Sequence, residues 1–128
     1  MTPADLTDPV LDTNWKGFPP TAGSLRRSKV GAQGWNVLRG DLPLPLAVAH
    51  RDALTHNLRW MQNLVERAGI DLAPHGKTTL SPQLFRAQLD AGAWGITVAS
   101  VGQVSIAIAA GARRVLIANQ VLQAVELS

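Results

Sequence analysis

Apolar positions recur along the second part of the chain with a spacing that changes from one stretch to the next. Leu54, Leu58, Met61, Val65 and Ala68 fall at steps of four, three, four and three, which keeps one face of an α-helix apolar. Gly69 follows where a left-handed C-cap is wanted, and Asp52 is placed to cap the N-terminus. Residues 44–50, Leu-Pro-Leu-Ala-Val-Ala-His, form an apolar run too uniform for a half-exposed strand and suited to a buried parallel one. Residues 70–75 predict a second strand. Ser81 then caps a helix with Pro82 at its first position, where the missing N–H would be unpaired anyway. Leu84, Phe85 and Leu89 give that helix its inner face, and Gly92 ends it. Residues 94–99 predict a third strand and residues 102–110 an alanine-rich helix closed by Gly111, small enough in its side chains to lie close to a sheet. Val115 to Ala118 predicts a fourth strand ending at Asn119 and Gln120, and a further helix is expected from Val121 onward.

The order is βαβαβαβ with another turn begun. Repetition of strand, crossover helix and parallel strand produces either a doubly wound sheet or a closed barrel, and pattern alone does not separate them. Residues 1–43 carry Pro, Gly, Thr and Asp with no sustained period, so they read as an irregular arm preceding β/α units in 44–128. Trp15, Phe18 and Trp35 argue that the arm packs on something, because exposed aromatics without a partner are disfavoured.

Composition narrows the class. The 46% hydrophobic content of the 128 residues suits one modest globular domain. The net charge of +3 is small and the basic residues are scattered, with Arg26, Arg27 and Lys29 the nearest thing to a cluster, read as a solvated loop. With no Tyr and two Phe, the stacking platforms of nucleic-acid binders are scarce, and no nucleic-acid partner is expected. The absence of cysteine excludes disulfides and thiolate metal sites. The first twenty residues hold Asp5, Asp8 and Asp12 without a signal-peptide core, and no window approaches the ~18 apolar residues of a membrane span. A cytoplasmic protein with no membrane association is expected.

In α/β folds ligands sit at the C-terminal ends of strands, which singles out His50, residues 75–78, Ser100, and Asn119 with Gln120. The second of these carries the chemistry. Lysine is normally a solvated surface residue, yet Lys77 stands between a strand end and a helix start, where an amine can form a Schiff base with an aldehyde such as pyridoxal phosphate. His75 precedes it by two residues, so in an extended segment both side chains share a face. Thr78 and Thr79 add hydroxyls, though a threonine before a helix is usually a local backbone partner. Gly76-Lys77-Thr78 also reproduces the end of a phosphate-loop signature. Asp71 stands where its first glycine belongs, and Pro74 removes an N–H that a phosphate cradle would want. His50 and His56 are six apart, a poor metal spacing, and no metal ligand is assigned.

Pro74-His75-Gly76-Lys77-Thr78, then Ser81-Pro82, Gln88-Leu89, Ala91-Gly92-Ala93 and Gly95-Ile96-Thr97-Val98-Ala99 resemble the signature of the D-threonine aldolase and D-serine dehydratase family. The run Gly34-Trp35-Asn36-Val37-Leu38-Arg39-Gly40-Asp41-Leu42-Pro43-Leu44-Pro45 is similar to the lead-in of its bacterial amino acid deaminase, or D-serine deaminase, branch. The likeness covers the chain from about Gly17 onward. It implies the first half of a pyridoxal-phosphate-binding (β/α)8 barrel of the alanine racemase N-terminal type, with Lys77 the catalytic Schiff-base lysine and His75 and Thr78 beside the cofactor. It implies a lyase that dehydrates and deaminates, or cleaves by retro-aldol chemistry, D-β-hydroxy amino acids such as D-serine or D-threonine. It also implies a homodimer for the full-length protein and a divalent metal whose ligands lie outside this chain. Many members read K-T-H-K at the lysine, whereas this chain reads Lys77-Thr78-Thr79-Leu80.

A complete barrel needs ~250 residues, so these 128 are expected to be a fragment, inactive and poorly folded alone because two strand edges lie open. Two other readings remain at this point: a non-catalytic pyridoxal-phosphate-binding protein, and a phosphate-loop-like nucleotide binder.

Overall fold

A computed structural model describes residues 6–126. The chain divides into two compact units, Met1–Ala49 and His50–Ser128.

The first unit is not wholly irregular. Strand β1, Val10–Leu11, pairs antiparallel with β2, Leu25–Arg26, with Val10 opposite Arg26 and Leu11 opposite Leu25. The pairing is extended by side chains: the Asp8 carboxylate accepts the Ser28 N–H at 2.6 Å and the Ser28 hydroxyl at 2.9 Å. Arg26 donates to the Asp8 carbonyl and Arg27 to the Thr7 carbonyl, so these two arginines are staples across the pair rather than a solvated loop. Phe18 is buried and meets Trp35 edge to face at 5.6 Å between ring centroids, while Trp15 stays 50% exposed. Between Gly34 and Asp41 the chain closes on itself. Arg39 pairs with Asp41 at 2.7 Å, and the same carboxylate oxygen accepts the Asn36 N–H.

Residues 44–50 are not a buried strand. Six of the seven are exposed, Leu44 at 76% and Val48 at 59%, and no ladder hydrogen bond reaches them among the described residues. A uniform apolar run states a preference for burial but does not name the strand that must pair with it.

The second unit is a small α/β assembly. Helix α1, Arg51–Ala68, begins at His50, and Asp52 lies in its first turn instead of capping it. Gly69 closes the helix in the left-handed region at φ +65°, its N–H bonded to the Val65 and Glu66 carbonyls, a conformation that spares only glycine the Cβ penalty. Val65 is the one described residue of α1 that is buried; Leu54 and Leu58 are half-buried, and Met61 and Ala68 are exposed. Helix α2, Pro82–Asp90, starts as its sequence predicts, with the Ser81 hydroxyl accepting the Leu84 N–H.

The sheet is parallel. Strand β3, Ile96–Val98, is buried throughout and pairs with β4, Val115–Ile117, in the register Ile96 to Val115 and Val98 to Ile117. On its other side β3 receives the extended segment 72–76: Trp94 N–H bonds to the Leu72 carbonyl, and His75 bridges Thr97 in parallel. Pro74 keeps that segment from being a regular strand, because it has no N–H to give the ladder. Helix α3, Val104–Ala109, is shorter than the 102–110 expected, its first turn, Val101–Gln103, being a 3-10 helix. Ala107, Ala110 and Ala112 bury against Phe85, Ile96 and Val98, with Leu80, Leu89 and Val115 at the margin. Phe85 is 1% exposed, and burying such a ring contributes about 1.5–3 kcal/mol. Beyond β4 the described residues hold a 3-10 turn, Ala124–Glu126, and the rest of the helix expected from Val121 lies outside them.

Candidate functional site

Lys77 sits one residue past the point where segment 72–76 leaves the sheet. The Gly76 N–H bonds to the Thr97 carbonyl at 2.7 Å, and the Gly76 carbonyl accepts the Thr79 N–H at 3.3 Å and the Leu80 N–H at 2.9 Å. Residues 76–80 are therefore a closed turn carrying Lys77, Thr78 and Thr79, all exposed. The turn ends at Leu80 with φ +44°, the one described non-glycine residue in the left-handed region. An L-residue there costs ~1–2 kcal/mol, and Leu80 is held by packing its side chain against the core around Phe85.

Extended alternation stops at Gly76, so it does not bring His75 and Lys77 together. A hydrogen bond does: the Lys77 backbone N–H donates to His75 Nδ1 at 3.4 Å. With Nδ1 an acceptor, the neutral ring carries its proton on Nε2. The Lys77 ammonium has no acidic partner among the described residues, and the Thr78 hydroxyl makes no hydrogen bond there.

The turn does not make a phosphate cradle. Such a cradle needs converging free N–H groups, yet those of Gly76, Lys77, Thr79 and Leu80 are each bonded within the fold, and α2 starts only at Pro82.

The other strand-end positions separate into two outcomes. Ser100, Asn119 and Gln120 line a cavity of about 70 Å³ at the C-terminal ends of β3 and β4, together with Ile117 and Glu126. His50 lies at the head of α1 instead of a strand end. Among the described residues no three His, Asp or Glu side chains gather to hold a metal, and no helix is long and apolar enough to cross a membrane.

No family model matches the chain. Over 77 residues, 60% of the chain, it is 38% identical to the D-threo-3-hydroxyaspartate dehydratase of Delftia sp. (strain HT23). The crystal structure of D-threonine aldolase from Filomicrobium marinum superposes on 68% of the chain with a TM-score of 0.64 and 29% identity. The H351A mutant of a D-threo-3-hydroxyaspartate dehydratase superposes on 63% with a TM-score of 0.59 and 36% identity. These likenesses support the family of D-threonine aldolase and D-serine dehydratase. The chain spans 20% of the length of the curated relative and 24% and 21% of the two solved chains.

Three residues around the lysine turn take roles that their sequence context does not announce. Thr97 reads in the sequence as one residue of a strand, yet a lone hydroxyl between Ile96 and Val98 in a buried stretch marks a residue with a bonding task. The spacing puts Phe85 on the inner face of its helix, and the structure lays its ring against the Cα of Gly76. Leu80 gave no signal at all, since nothing in a leucine advertises a left-handed backbone.

Proposed function

We propose that this chain supplies the lysine-bearing β/α units of a pyridoxal-phosphate-dependent lyase acting on D-β-hydroxy amino acids such as D-serine or D-threonine, within a (β/α)8 barrel of the alanine racemase type. One observation carries the reading: Lys77 is an exposed lysine on a backbone turn fixed at the C-terminal end of a parallel segment, where such folds bind ligands. The likeness to a dehydratase and an aldolase supports the substrate class.

The residues present fit the cofactor. Lys77 would hold it through Nζ, which is free of acidic partners among the described residues. Pyridoxal phosphate, when bound, supplies an electron sink that makes bonds at the substrate's α-carbon labile. Lys77 Nζ would serve as the base that takes the substrate's α-proton, the step that precedes loss of a β-hydroxyl. His75, whose Nδ1 accepts the Lys77 N–H, would have Nε2–H left to donate to the cofactor or substrate. Thr78 offers a free hydroxyl from the same turn. No metal ligand is assigned to this chain; any divalent cation would be held elsewhere in the whole protein, which would be a cytoplasmic homodimer.

The test is chemical trapping. Borohydride reduction of the protein loaded with pyridoxal phosphate, followed by peptide mapping, places the pyridoxyl label on Lys77; a label on another residue, or none, overturns the reading.

A further inference from the structure

We propose that Thr97 is a positioning residue for Lys77, setting the lysine turn through three hydrogen bonds to the segment that precedes it; this rests on the role of Lys77 given above. Thr97 N–H donates to the Pro74 carbonyl at 2.8 Å, its hydroxyl donates to the Ala73 carbonyl at 2.7 Å, and its own carbonyl accepts the Gly76 N–H at 2.7 Å. The first and last are the two bonds a parallel ladder makes around the bridged pair His75 and Thr97. The hydroxyl bond is additional. It falls beside Pro74, where the segment cannot donate to any ladder.

Thr97 is itself enclosed. It is 5% exposed, flanked by Ile96 and Val98 at 0%, and pinned in register to Leu116 of β4. Gly76, held by the Thr97 carbonyl, then closes the turn by accepting from Thr79 and Leu80. One peptide bond separates the last clamped residue from the Cα of Lys77. A misplacement of about 1 Å in a reacting group can lower a rate ~10²-fold, so a clamp this close sets whether the amine reaches its target. Threonine suits the place twice over: its branched Cβ fits a buried strand, and its hydroxyl reaches a carbonyl that would otherwise be left half-buried without that partner.

The test compares Thr97→Val, which keeps the shape and removes the donor, with Thr97→Ser, which keeps the donor, and with Val115→Ala, which weakens the same sheet from β4 away from the turn. Each protein is titrated with pyridoxal phosphate, and the borohydride-fixed label on Lys77 is quantified. Thr97→Val is expected to lose about tenfold in apparent affinity, the effect of orphaning one part-buried acceptor; Thr97→Ser and Val115→Ala stay within about twofold of the wild type. Wild-type affinity in Thr97→Val, or an equal loss in Thr97→Ser or Val115→Ala, overturns the proposal. A label absent from Lys77 in the wild type overturns the functional reading and this proposal with it. A second readout needs neither cofactor nor variant. In the unliganded wild type the Gly76 and Thr97 amides exchange with solvent far more slowly than the Thr78 amide, and equal exchange overturns the clamp.

Discussion

The ring of Phe85 fills the space where a side chain on Gly76 would begin. The backbone just before Lys77 is thus packed from below by α2 and bonded from the side by β3, and both constraints meet on a residue that has no side chain. Gly76→Ala forces either the ring or the turn to move. It is expected to destabilise the protein by about 1–3 kcal/mol, the range for overpacking a full core, and to weaken labelling of Lys77. Phe85→Leu combined with it should recover part of the loss in urea melts; strictly additive losses would show that the two residues do not share the space.

Lys77 presents the opposite case, since its side chain is exposed and pairs with no acid among the described residues. Lys77→Ala is expected to abolish the pyridoxyl label while shifting folding stability by less than about 0.5 kcal/mol, as surface substitutions do. Parallel mapping and thermal melts check both halves. A large stability loss would show the lysine to be a structural residue.

At Leu80 the usual order of substitutions should reverse. Its φ of +44° favours glycine, while its side chain packs at the core margin. Leu80→Ala loses the packing and keeps the backbone penalty, whereas Leu80→Gly loses the packing and sheds the penalty. Leu80→Gly should therefore be the more stable by about 1 kcal/mol in denaturant titration. Greater stability of Leu80→Ala would place φ at Leu80 outside the left-handed region.

Acid should loosen the first unit at Asp8. The Ser28 N–H holds the Asp8 carboxyl below the usual carboxylate range, with the Ser28 hydroxyl and the charges of Arg26 and Arg27 adding to it and desolvation opposing. A carboxyl depressed in the folded state contributes stability above its unfolded pKa, and that contribution is lost as the pH falls through the folded value. The Ser28 amide resonance should titrate with a midpoint below that of an ordinary aspartate, and Asp8→Asn should flatten it. A midpoint at the ordinary value would mean that the Asp8 to Ser28 bond does not persist in solution.

The sequence revealed those parts of the fold that announce themselves locally. The four-and-three spacing through Leu54, Leu58 and Val65 marks a helix that is present as Arg51–Ala68, and Ser81 with Pro82 marks the start of the next one. Ile96 and Val115 likewise read as strands and are strands. What stayed hidden depends on partners distant in the chain. Residues 44–50 look like a strand in isolation, but nothing in their composition supplies the neighbour that a strand needs. Two-residue strands such as Val10–Leu11 are too short to show a period, and their pairing rests on Asp8 and Ser28, twenty positions apart. For the site, the lysine motif was visible, whereas the fit of Gly76 to Phe85 and the bonds of Thr97 to Ala73 and Pro74 are long-range and leave no local trace.

The bonds from Thr97 carry a consequence for transplantation. A designer who copies residues 74–80 into another α/β scaffold moves the amine without the foundation it stands on, because that foundation belongs to a strand some twenty residues further along. The smallest portable unit is the loop together with the neighbouring strand and the helix that lies beneath them.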